Sequence, residues 1–104
     1  MNQKQLKKMM EQAQQMQSGV MRVQEELAEA RVEGIAAEGR VRAVVTGQGE
    51  LVELSISPEA VDPEDTEMLE DLILVAVRNA VAKSQELSRS RMDDLGLPGM
   101  GGLM

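Results

Sequence analysis

The chain has no Phe, Tyr, Trp, Cys or His, and each absence excludes something. Without aromatic rings, a core has to be built from Leu, Ile, Val, Ala and Met, which lack a large planar anchor. Without imidazole or thiolate, the usual general bases, nucleophiles and transition-metal ligands are missing, leaving carboxylates, amines and hydroxyls. The inventory therefore predicts neither an enzyme nor a metal or cofactor site. The lack of cysteine also rules out a disulfide, which fits a reducing cytoplasm. The polar opening Met1 to Lys8 leads into no uninterrupted apolar run. It resembles neither a signal peptide nor a membrane span, so a cytoplasmic protein without membrane contact is expected.

A chain of 104 residues fits one domain, and small domains bury a small fraction of their surface, which dimerisation would relieve. The net charge of −7 would by itself repel nucleic acid, whose binding depends on neutralising phosphates. The charge is strongly segregated, however. Residues 1–10 carry Lys4, Lys7 and Lys8 with no acid, whereas residues 11–77 carry only Arg22, Arg31, Arg40 and Arg42 against fifteen carboxylates. Residues 78–91 are basic again, with Arg78, Lys83, Arg89 and Arg91 against Glu86 alone, before Asp93 and Asp94.

Leu6, Met9, Ala13, Met16, Val20, Val23, Leu27 and Ala30 recur at spacings of three and four, the a and d pattern of a coiled-coil helix. A helix over residues 3–30 would be about 40 Å long and would require another long element to pack against. Gly19 marks either a bend or a place where another backbone comes close.

The period then falls to two, with Val41, Ala43 and Val45 on one face and Arg40, Arg42, Val44 and Thr46 on the other. Gly47-Gln48-Gly49 reads as a hairpin turn, and the next strand alternates Val52, Leu54 and Ile56 against Leu51, Glu53, Ser55 and Ser57. A weaker strand precedes these at 31–37, giving three antiparallel strands at about 31–37, 39–46 and 50–57. Asp62-Pro63-Glu64-Asp65 reads as a helix start with Asp62 as N-cap and Pro63 at the first helical position. The helix is predicted over 63–92, with an apolar stripe of Leu69, Leu72, Ile73, Ala76, Ala80 and Leu87. The predicted domain spans 1–95, and the Gly/Met-rich residues 96–104 are expected to form a disordered tail.

Several tempting motifs are better explained by structure. Gly47-Gln48-Gly49 lacks the third glycine and the following helix of a dinucleotide loop. The acidic run from Asp62 lacks the ligand alternation of a calcium loop. Glu25, Glu26 and Glu29 lie on a helix face with no nucleophile or pocket signal near them. Arg89 and Arg91 near a helix C-terminus favourably oppose its dipole, but Lys4, Lys7 and Lys8 at a helix N-terminus oppose nothing and call for another reason, such as an anionic partner.

The order helix, three strands, helix is carried by specific stretches: Leu6-Lys-Lys-Met-Met-Glu-Gln-Ala-Gln-Gln-Met16, Val23-Gln-Glu-Glu-Leu-Ala28, Gly47-Gln-Gly-Glu-Leu51, Leu54-Ser-Ile-Ser-Pro58, Glu67-Met-Leu-Glu-Asp-Leu72, Ala76-Val-Arg-Asn-Ala-Val-Ala-Lys83 and Leu97-Pro-Gly-Met-Gly-Gly102. Together these resemble the bacterial YbaB/EbfC family over nearly the whole chain. Ser57 departs from the Asp often found before the proline, and Arg40 and Arg42 stand where Lys is frequent. The resemblance implies an α+β homodimer joined through its sheets, with tweezer-like helical arms. It also implies a nucleoid-associated protein that binds duplex DNA and alters its organisation, with effects on gene expression and DNA protection, and it implies no cofactor or small-molecule substrate. If the two helices pack antiparallel, both basic segments are expected to meet at one end. Lys4, Lys7, Lys8, Arg78, Lys83, Arg89 and Arg91 are the DNA-binding residues expected on this reading. The other expectation is an acidic coiled-coil scaffold or holdase that grips proteins rather than DNA.

Overall fold

The computed structural model describes residues 2–96, so the expected tail lies, apart from Gly96, outside the described residues. In chain order the elements are α1 (Gln3–Glu29), β1 (Arg31–Ala36), β2 (Val41–Thr46), β3 (Leu51–Ile56) and α2 (Thr66–Asp93), with short 3-10 turns at Ala37–Gly39 and Pro58–Ala60. This is the α-β-β-β-α arrangement that the periodicities predict. The strands form one antiparallel sheet in the order β1-β2-β3.

Val41, Ala43 and Val45, on the face the alternation picks out, are fully buried beneath α2. The small residues of β1 acquire a reason here. A Cβ at Gly34 would overlap the carbonyl oxygen of Ala76 and the amide nitrogen of Ala80, and would lie 2.9 Å from the Cα of Ala80. Helix and strand backbones therefore meet directly at this point, with Ala76 and Ala80 completely buried. Leu69, Leu72, Ile73, Val77 and Val81 close the flanks of this thin core. The exposed edge of β1 is also covered: the Asn79 amide donates to the Ile35 carbonyl and Lys83 Nζ to the Glu33 carbonyl, each at 3.2 Å, which occupies acceptors that could template pairing with another chain.

At the β2–β3 hairpin, Gly49 has φ +85° and its N–H donates to the Thr46 carbonyl, the left-handed turn position that favours glycine. Gly47 serves a different need: its N–H donates to the Leu27 carbonyl at 2.8 Å, and a Cβ there would come within 2.9 Å of the Leu27 Cα. The end of α1 is thereby seated on the hairpin. Ser84, 1 % exposed, donates to the Thr46 carbonyl at 2.9 Å, which fixes α2 to the same place.

Three details depart from the simple pattern. α2 starts at Thr66, with the Asp65 carboxylate accepting from the Met68 N–H. Asp62 instead accepts from the Glu64 N–H, while its carbonyl accepts from Asp65. Asp-Pro suits a turn as well as a helix start, and the turn prevails. On β3 a bulge pairs Val44 with Glu53 and Val45 with Leu51, leaving Val52 without a partner and bringing Leu51 opposite the core row of β2. The third departure concerns α1, of which only Gly19, Val23 and Leu27 are buried. The long element that its apolar seam calls for covers only this part of it among the described residues, and Leu6, Met9 and Met16 remain about half exposed.

Candidate nucleic-acid interface

Both long helices are tied to the β2–β3 hairpin at a common level. Leu27 of α1 is bonded to Gly47 and Ser84 of α2 to Thr46. The helices run antiparallel from there: Arg91 Nη1 lies 4.0 Å from Glu26 Oε2, and Leu95 reaches a position 3.1 Å from where a Cβ of Gly19 would stand. Gly19 lies within an uninterrupted helix, and its neighbour is the Leu95 side chain rather than another backbone. Beyond that point α1 continues alone among the described residues. Gln3 lies about 36 Å from Leu27 along the helix axis, whereas Gly96 lies only about 18 Å from Ser84.

This offset decides how the basic residues are grouped. Lys8 lies about 16 Å beyond Gly19 along α1, and Lys4 further still, so they do not meet Arg89 and Arg91. The antiparallel packing expected from the sequence is present, but the shared basic end is not. At about 100° per residue, Lys4, Lys7 and Lys8 fall within an arc of roughly 100° on the side of α1 opposite Leu6, Met9, Ala13 and Met16. All three lysines are exposed, and among the described residues none has a carboxylate within ion-pair distance. Asn2 caps the helix by accepting from the Gln5 N–H at 2.8 Å. It thus compensates locally for three cations placed against the dipole.

The α2 residues are in different circumstances. Arg78 is exposed on the outer side of the helix. Lys83 spends one donor on the β1 edge, and Arg91 faces Glu26. Arg89 borders a groove of about 460 Å³ between the Gly47–Gly49 turn and α2, together with Gln85, Ser88 and Met92. On the open sheet face, Arg42 bridges Glu33 at 2.8 Å and Glu53 at 3.3 Å. The hydrogen bond that it donates to Glu33, and then the charges of Glu33 and Glu53, hold its guanidinium above the ordinary arginine value. Its charge is neutralised locally by these two carboxylates. Arg22 was not singled out by composition, yet it is exposed and falls on the lysine side of α1.

A model of the YbaB/EbfC DNA-binding family matches residues 1–100. The chain belongs to the YbaB/EbfC family. Among its relatives are a nucleoid-associated protein of Saccharopolyspora erythraea, 48% identical over 94% of this chain and 89% of that protein, and one of Chloroflexus aurantiacus, 49% identical over 96% and 99% respectively. The crystal structure of an uncharacterized protein from Helicobacter pylori superposes with a TM-score of 0.74 at 20% identity, covering 93% of this chain and 99% of that one, which supports the fold. YbaB/EbfC is a DNA-binding family and not an enzyme family. Among the described residues no helix is long and apolar enough to cross a membrane.

Proposed function

We propose that this YbaB/EbfC protein is a nucleoid-associated homodimer of the cytoplasm that binds duplex DNA with low sequence preference and changes its organisation, thereby affecting gene expression and DNA protection. The observation that carries this reading is the α1 arm, which holds Lys4, Lys7 and Lys8 clear of the acidic body with no carboxylate within ion-pair distance among the described residues. Phosphate contacts supply affinity without reading sequence. The chain also lacks the aromatic residues that stack single-stranded bases. Arg78 and Arg89 are exposed on α2 and serve as further contacts, with Lys83 and Arg91 contributing the charge left over from their internal partners.

The dimer is supported by β3. α2 lies over β1 and β2, and Leu51, Val52, Leu54 and Ile56 of the third strand stay 37–47% exposed on an open sheet edge. An apolar open edge is an aggregation hazard unless a partner covers it. Pairing with a second copy satisfies its backbone and buries its side chains.

A fluorescence-anisotropy titration of mixed-sequence duplex tests the DNA reading. Log affinity should fall with log salt by about 0.9 per neutralised phosphate, and replacing Lys4, Lys7 and Lys8 with Gln should weaken binding and flatten that slope. Salt-independent affinity, or affinity unaffected by the triple substitution, would sink it. The Met-lined seam of the same arm favours the second reading, a scaffold or holdase. That reading predicts capture of partner proteins with no duplex binding at low salt.

A further inference from the structure

Apart from the lysine cluster, one feature of α1 has a direction to it. Lys4, Lys8, Glu11, Gln15, Ser18 and Arg22 succeed one another at alternating spacings of four and three, so on a straight helix they form a single row within about 40° of one line. All six are exposed. The row runs about 27 Å from Lys4 to Arg22, and its last four members, with Gln14 and Gly19, line a shallow crevice of about 430 Å³ on the arm. Arg22 has no carboxylate within ion-pair distance among the described residues, although Glu25 and Glu26 follow within a turn; Glu26 instead lies 4.0 Å from Arg91. The row ends abruptly, because the next residues on this side are Glu25, Glu26 and Glu29.

We propose that Arg22 is a DNA-phosphate contact and that the duplex lies along the Lys4–Arg22 row, with the Gln15 and Ser18 side chains as neutral hydrogen-bonding groups between the two cationic ends. The proposal rests on the DNA-binding reading above and extends it from the end of the arm to its length. A rod of phosphates matches a straight row of donors, and both uncompensated cations and a recess are present on this one side of the helix. Glu11 is the only acid within the row and opposes an approaching phosphate.

The test uses the full chain, a labelled mixed-sequence duplex and anisotropy titrations across a range of salt, with far-ultraviolet circular dichroism to confirm that each variant is folded. Arg22→Gln should flatten the salt slope by about 0.9 for each arm engaged and weaken binding roughly five- to ten-fold per arm near 0.1 M salt. Arg22→Lys should retain most of the slope. Glu11→Gln should tighten binding, and Arg40→Gln, whose arginine lies 3.6 Å from Glu59 away from the arm, should leave it unchanged. If Arg22→Gln and Glu11→Gln both leave slope and affinity unaltered while the triple lysine variant loses binding, the row is overturned and the end-of-arm contact stands. If the lysine variant is unaffected too, the DNA-binding reading of this arm fails with it.

Discussion

Replacing Gly34 with Ala adds one methyl group at the place where the fold tolerates it least. The atoms it would strike are the carbonyl oxygen of Ala76 and the amide nitrogen and Cα of Ala80, all backbone, so no rotamer change can relieve the overlap. α2 has to move away from β1, and that movement loosens the contacts of Ala76, Ala80 and the flanking Leu72 and Ile73. Overpacking alone costs about 1–3 kcal/mol, and the accompanying loss of packing brings the expected total to about 3 kcal/mol or more. Small domains are stabilised by only about 5–15 kcal/mol. At about 4–8 °C per kcal/mol, the melting temperature should fall by about 12–24 °C. The assay is thermal or urea unfolding followed at 222 nm, because a chain without Trp, Tyr or Phe offers no intrinsic fluorescence. Variants are compared at equal concentration, since a dimer melts in a concentration-dependent way. Gly39→Ala is the control: φ there is +90° but nothing lies within 4 Å, so only a backbone cost of about 1–2 kcal/mol applies. Adding Ala80→Gly to Gly34→Ala should not restore stability, because the obstacle is the helix backbone and not the alanine methyl. A Gly34→Ala protein that unfolds within about 1 kcal/mol of the parent would refute the close-approach argument.

Leu54→Glu places a charge on the open apolar strand β3, and light scattering should shift from about twice the 11.4 kDa chain mass to the mass of one chain; a parent that is already monomeric would reject the sheet-edge dimer. Asp65→Ala removes the cap that accepts from the Met68 N–H and should cost about 1 kcal/mol, more than Asp62→Ala, whose carboxylate serves only the preceding turn; the reverse order in urea unfolding would restore Asp62 as the helix start. Ser84→Ala removes one of the two donors to the Thr46 carbonyl, which keeps the Gly49 N–H, and should cost about 1 kcal/mol, read as a lower urea midpoint with unchanged slope.

The element order, the core row of β2 and the hairpin were legible in the sequence because they depend on local repeats. A period of two or 3.6 is written into the chain, and glycine at a left-handed turn is required by the backbone of that turn alone. Lys4, Lys7 and Lys8 were legible for a related reason, since a cation at a helix N-terminus is unfavourable wherever the helix lies. The bulge at Val52 was not legible, because alternation cannot show where a strand will carry an extra residue until it is paired. Gly34 was readable as a weak strand residue but not as the seat of α2, which exists only once Ala76 and Ala80 are brought over it.

The sequence by itself thus determined the elements, their amphipathic faces and the lack of the usual catalytic and metal-ligating side chains, all properties of single segments. Tertiary structure decided where the helices stand relative to each other. Leu27 is tied to Gly47 and Ser84 to Thr46, and from that shared level α1 extends about twice as far as α2 does within the described residues. The basic segments of two helices similar in length are therefore separated instead of joined. Among the described residues the arm of α1 is left uncovered, with cations along one side and an apolar seam along the other, because no periodicity fixes the offset between two helices; the contacts with the hairpin do.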